Sequence, residues 1–314
     1  MPDIELSRTT GRSGPSTPQI ACTKQMPELL GDPPSWLLGS VCCALSVDLH
    51  PGPNHSGLSG NHPTSDLKAL ALRLQESLIN VQAIESSGQL PTATVAGFET
   101  LLSEPDSEAL AQLRLEELPD IITQLLCTQL LPSSAGRSVC VTLLGAALLQ
   151  KCLRLSTPPS RSLQTAITHC VREHPGPMLE AVLVPLLQRQ QMLRPQCDVI
   201  MHSIKSGMPG QLLPGLVAAL SSNVSIAWTE NTLDVLQAIV TAHPPLPQGL
   251  MEGLATSLEA FAGQFAASVR FIKLINCLCA TYGDQALQHR TCLLHAVAQN
   301  RTFMAKSAAK RLRS

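Results

Sequence analysis

Thiols and imidazoles are the side chains of this chain with the most chemistry to offer. Cys277, Cys279, His289, Cys292 and His295 crowd into the C-terminal quarter, and both residue types are good zinc ligands. His289, Cys292 and His295 follow one another at three-residue spacing and share one side of a helix. Cys277 and Cys279 are two apart and point about 200° away from each other in a helix, so both reach one ion only if the helix unwinds. Buried small residues account for the group better. A Cys/His nucleophile pair drawn from His169, Cys170 and His174 fails similarly, because sequence neighbours on a helix face different directions. The chain contains no Gly-rich phosphate loop, no HExxH and no GxSxG, so phosphate cradles, zincin sites and nucleophile elbows have no support. The residues argue against an enzyme, and no catalytic residue, cofactor or metal is assigned.

The C-terminal run NRTFMAKSAAKRLRS carries more information. Arg301, Lys306, Lys310, Arg311 and Arg313 occur there without an acid, beside the apolar set Phe303, Met304, Ala308 and Leu312. Cations near a helix C-terminus complement its partial negative charge, which explains part of the cluster. The functional alternatives are an import signal, a phosphate-contacting patch or a docking surface for an acidic partner. Phe303 and Met304 ringed by cations suit a protein contact; the competing reading has Phe303 capping the core of the last helices. Acids concentrate between Asp66 and Asp120 and bases follow from Arg137 onward, as opposite ends of an elongated molecule or as ordinary solvated faces.

These residues need helices to position them. Of 314 residues, 44% are apolar, but only 3% are aromatic and 14% charged, against a usual charged share of ~25%. Too few aromatic residues are present to build the pleated faces of a sandwich or barrel, which leaves an all-α class. The net charge of -1 argues against direct nucleic-acid binding by the whole chain. Eleven cysteines in apolar helical contexts read as reduced, buried thiols of an intracellular protein. The polar N-terminus does not resemble a secretory signal, and the longest apolar run, Val139 to Leu149, is too short to span a bilayer.

Residues 1–64 are dense in Pro, Gly, Ser and Thr and are expected to be disordered. A helical-repeat domain is expected over 65–314. There, apolar-periodic runs alternate with Pro, Gly or Ser stops and predict helices over 66–86, 92–103, 106–116, 119–131, 135–154, 159–174, 177–188, 195–206, 209–221, 229–242, 247–264, 266–281, 284–298 and 301–312. Ser65 is placed to cap the first of these and Gly88 to end it. Pro185 and Pro214 fall inside helices and predict kinks or breaks. Short helices with a pairing period of about 35 to 45 residues predict a solenoid of stacked antiparallel helix pairs, of the HEAT or armadillo kind.

Three blocks carry a resemblance: LRLSTPPSRSLQTAITHCVREHPGPMLEAVLVPLL (Leu153 to Leu187), WTENTLDVLQAIV (Trp228 to Val240) and NRTFMAKSAAKRL (Asn300 to Leu312). In order and spacing they resemble the C-terminal domain of the Fanconi anaemia group E family, over roughly residues 66–314. The resemblance implies a non-catalytic helical-repeat adaptor of the nuclear Fanconi core complex. It would bridge the group C subunit and the group-D-two substrate, beside other core-complex subunits, and promote monoubiquitination in DNA interstrand crosslink repair. Phe303 matches the phenylalanine of the family's TF motif, associated with the group-D-two contact, and Met304 stands at a neighbouring apolar position. Lys151 matches a basic position associated with group C. Residues 1–64 resemble neither the helical N-terminal region nor the charged linker of that family. The rival reading is a nucleic-acid-binding helical protein that uses its basic C-terminal helix.

Overall fold

A computed structural model describes residues 63–79, 87–103, 110, 113–131, 135–221 and 227–313. Every regular element among these residues is helical. The first two helices are α1 (Pro63–Ile79) and α2 (Thr92–Ser103), and Gly88 lies between them at φ +64°, a left-handed conformation that suits glycine. After a 3₁₀ turn at Leu115–Glu117 comes α3 (Asp120–Gln129). The next helical run comprises α4 (Arg137–Leu144), a π turn at Gly145–Leu149 and α5 (Gln150–Arg154). Then follow α6 (Arg161–Glu173), α7 (Pro175–Met178), a second π turn at Leu179–Leu183 and α8 (Val184–Leu187). The remainder is α9 (Arg194–Lys205), α10 (Leu213–Ser221), α11 (Glu230–Thr241), α12 (Gln248–Phe261), α13 (Val269–Tyr282), α14 (Asp284–Leu287), α15 (Arg290–Ala298) and α16 (Ala305–Arg313).

These helices form two layers. In the first, α3, α6, α9, α11, α13 and α16 each pack on the next in the series. In the second, the 137–154 run, the 175–187 run, α10, α12 and α15 do the same. Each first-layer helix from α3 to α13 is followed by a second-layer helix, so the described residues form the expected all-α solenoid of stacked antiparallel pairs. Leu and Ala fill the seam, with Leu143, Leu186, Leu216, Leu254 and Leu293 fully buried in the second layer. The few aromatic rings concentrate at one junction: Trp228 stacks on Phe261 at 4.9 Å and Phe265 on Phe271 at 5.6 Å.

Side-chain amides tie each repeat to the one before. Gln196 donates to the Leu153 carbonyl at 2.8 Å, Asn231 to Met192 at 2.8 Å, Gln264 to Trp228 at 2.7 Å, Gln285 to Leu246 at 2.8 Å and Asn300 to Phe265 at 2.8 Å. Their sequence separations run from 35 to 43 residues, one structural repeat in each case. A buried loop carbonyl without a partner costs free energy, and these amides satisfy it. Three first-layer helices, α6, α11 and α13, share a start signal: the hydroxyls of Ser160 and Ser268 accept from the backbone N–H three residues on, both at 3.2 Å, and Thr229 does so at 3.4 Å.

The prolines behave as their chemistry requires. Pro185 follows a π turn whose wider spacing absorbs the missing N–H. Pro214 sits at the second position of α10, just after a 3₁₀ turn at Gly210–Leu212, where the donor is dispensable. Two expected helices differ from the structure. The run predicted over 284–298 divides into α14 and α15, and that predicted over 301–312 begins only at Ala305. The tail assigned to residues 1–64 lies outside the described residues except for Pro63 and Thr64, which open α1, and most of the helix expected over 106–116 lies outside them too.

Candidate partner-docking surface

The last helices present their C-terminal residues through a buried hub. Asn300, 6% exposed, donates from Nδ2 to the carbonyls of Phe265 at 2.8 Å and Ser268 at 3.0 Å. Its Oδ1 accepts from the Thr302 N–H at 3.0 Å and the Thr302 hydroxyl at 2.6 Å. The Arg301 N–H donates to the Ala266 carbonyl at 2.7 Å. The 300–302 segment is thereby laced to the 265–268 turn, and α16 is held by buried Ala305, Ala308 and Leu312. From this base Phe303 projects into solvent, 83% exposed, while Met304 beside it is half-buried against the core. Such exposure of a phenylalanine on a fixed base sacrifices burial worth about 1.5–3 kcal/mol, and a ring in that position is poised for contact.

Lys151 is placed differently. It lies where α5 begins, with its side chain only 9% exposed. Its ammonium donates to the Leu118 carbonyl and to Asp120 Oδ1, the latter at 3.2 Å. Ser160 donates to the other oxygen of Asp120 at 2.6 Å. Lys151 therefore braces the junction of α3, α5 and the start of α6. The cations that reach the surface nearby are Arg154, 3.6 Å from Glu116, and Arg189, which donates to the Leu153 carbonyl at 3.0 Å.

The thiols and imidazoles lie elsewhere and do not converge. Among the described residues no group of three or more His, Cys, Asp or Glu side chains could hold a metal ion. His295 pairs with Glu259 at 2.8 Å and lowers its pKa. The Cys277 Sγ stands 3.6 Å from the Thr241 hydroxyl. His174, not its neighbour His169, meets a thiol: Nδ1 lies 3.5 Å from Cys140 Sγ and Nε2 lies 3.2 Å from the Leu131 carbonyl. A carbonyl only accepts, so Nε2 carries the proton of that hydrogen bond. Burial pushes Cys152 and Cys197 up to about 12, whereas an activated nucleophile needs the opposite shift.

On α13 the sequence pointed to Cys277 and Cys279 and not to the first turn of the helix. Val269, Arg270 and Lys273 are exposed on it, and α13 contains no acid. Their signal was the absence of acids across 269–282, weak in isolation but continuous in space with the basic C-terminus. Arg270 also belongs to a ladder across three repeats, in which it pairs with Asp234 at 3.2 Å and Glu230 at 3.9 Å, and Asp234 pairs with Arg194 at 2.7 Å.

A family model described as the Fanconi Anaemia group E protein matches residues 96–314. Among curated proteins, the chain is similar to the human Fanconi anemia group E protein, 27% identical over 200 residues. That match covers 63% of this chain and spans 37% of the length of the human protein.

Proposed function

The chain belongs to the Fanconi anaemia group E family, and from that premise we propose that it acts as a non-catalytic adaptor in the nuclear Fanconi core complex. In this reading it bridges the group C subunit and the group-D-two substrate, and so promotes monoubiquitination of the substrate during DNA interstrand crosslink repair. The observation that carries the proposal is Phe303, a large apolar ring 83% exposed on a segment fixed by Asn300. Met304 extends the same contact at its buried margin. Lys151 supports the group C side by positioning: its bonds to Leu118 and Asp120 hold the 118–120 turn against α5, and the surface around that turn makes the contact.

Capture of purified group C and group-D-two proteins by the full chain tests this. Phe303→Ala should lose group-D-two and keep group C. Retention of both by Phe303→Ala, or capture of neither by the wild type, would overturn the assignment.

A second reading, nucleic-acid binding, draws on the exposed Lys306, Lys310 and Arg313 of α16. It requires affinity for DNA that falls steeply with salt, and among the described residues Phe303 is the one aromatic side chain that stands out as exposed for base stacking.

A further inference from the structure

The surface around Phe303 does not end at α16. Three hydrogen bonds between 300–301 and 265–268, two from the Asn300 side-chain amide and one from the Arg301 N–H, set the start of α13 directly beside the turn that carries Phe303, and α13 packs along α16. Among the described residues the exposed large hydrophobics are Leu72, Leu193, Val269 and Phe303, and two of the four directly follow the segments joined at this corner. Each is followed along its helix by exposed lysine: Lys273 one turn beyond Val269, and Lys306 and Lys310 beyond Phe303. None of these three lysines forms an ion pair among the described residues, and neither helix contains an acid. The patch has a boundary. On the next first-layer helix, Glu230 and Asp234 take up Arg270, so the surface changes sign at α11.

We infer that α13 and α16 together form one docking surface for an acidic, apolar segment of a protein partner, with Val269 and Phe303 as its apolar anchors and Lys273, Lys306 and Lys310 as its cationic rows. The inference rests on the adaptor reading and adds the chemistry of what is bound. Two rows, each apolar at the helix start and cationic one or two turns on, fit a segment that offers apolar side chains at one end and carboxylates at the other. A nucleic acid would satisfy the lysines but leave Val269 exposed, since phosphates make no use of an aliphatic side chain. The protein segment satisfies both halves of the surface.

The test measures the affinity of the full chain for purified group-D-two protein at low and moderate salt, with Phe303→Ala, Val269→Ser, Lys273→Glu, Lys306→Glu and the remote Glu252→Lys as variants. A short DNA duplex serves as the competing probe. Val269→Ser should weaken protein binding roughly 3- to 10-fold, and each lysine reversal roughly 5- to 30-fold with a flatter salt dependence. Glu252→Lys should change little. Melting curves of the variants should superimpose on the wild type, because the substituted side chains are exposed. If Phe303→Ala weakens binding while Val269→Ser and Lys273→Glu match the wild type, the α13 half of the surface is wrong and the adaptor reading stands. If the wild type does not bind the group-D-two protein, both fall. If the lysine reversals abolish duplex binding and spare the protein, the surface belongs to nucleic acid and the inference is overturned.

Discussion

Lys151 and Phe303 sit at opposite kinds of position in one solenoid. The junction around Lys151 has a repeat on either side, and the lysine is drawn inward to satisfy the Leu118 carbonyl and Asp120. The repeat that carries α16 packs on α13 and α15, and there the chain leaves a phenylalanine 83% in solvent. A charged side chain drawn inward is committed to the neighbouring repeats, whereas an apolar ring held in solvent is left uncommitted within the described residues. The contrast predicts that substitutions at the interior junction damage folding first, and those at the end damage binding first.

The largest effect should come from Lys151→Glu. It places a carboxylate beside Asp120 and against a carbonyl, and breaking a largely buried pair in this way costs about 3–5 kcal/mol. Urea denaturation of the variant should show a lower midpoint, and an unchanged midpoint would return Lys151 to the surface. Asn300→Ala comes next. It orphans the carbonyls of Phe265 and Ser268 for about 2–3 kcal/mol, and it should weaken group-D-two binding although Phe303 is intact. Phe303→Ala should cost about 1–3 kcal/mol of binding with the melting temperature essentially unchanged; a fall in melting temperature with binding intact would make Phe303 a core residue.

The smallest effect separates the two regions by pH. Burial raises Cys152, beside Lys151, to about 12 from a reference of 9.0. A thiol whose pKa is higher in the folded state favours that state while both forms are protonated, and its contribution is lost as pH rises between about 9 and 12. The loss is at most about 1.4 kcal/mol per pH unit for one such thiol. Hydrogen exchange at pH 9.5 should therefore loosen the α3–α5 junction relative to neutral pH, and Cys152→Ala should remove the alkaline component.

Much of the fold was legible in the sequence. Leu spacing and Pro stops delimit the paired helices, and the repeat period agrees with the reach of the tethering amides. The late start of α16 was not legible, because Asn300 bonds to residues 32 and 35 positions earlier, a contact with no local pattern. The burial of Lys151 was within reach: Leu144, Ala147 and Leu148 form the buried stripe of their helical run, and a residue three or four positions on falls under the same stripe. Charge diverted attention from the periodicity. The exposure of Val269 and Lys273 beside the 300–302 segment was hidden for another reason, since the Asn300 bonds that bring the two segments together leave no local pattern.

The amide tethers give the molecule a mechanical character. Each clasp joins one repeat to its predecessor, so a pull on the C-terminal end loads the Asn300 clasp first, then those of Gln285, Gln264, Asn231 and Gln196 in turn, as in unfastening a zip from its open end. Each clasp spans 35 to 43 residues, roughly 120–150 Å of chain if fully extended. A load on that end is thus dissipated locally and in steps, while the repeats nearer the N-terminal end keep their shape.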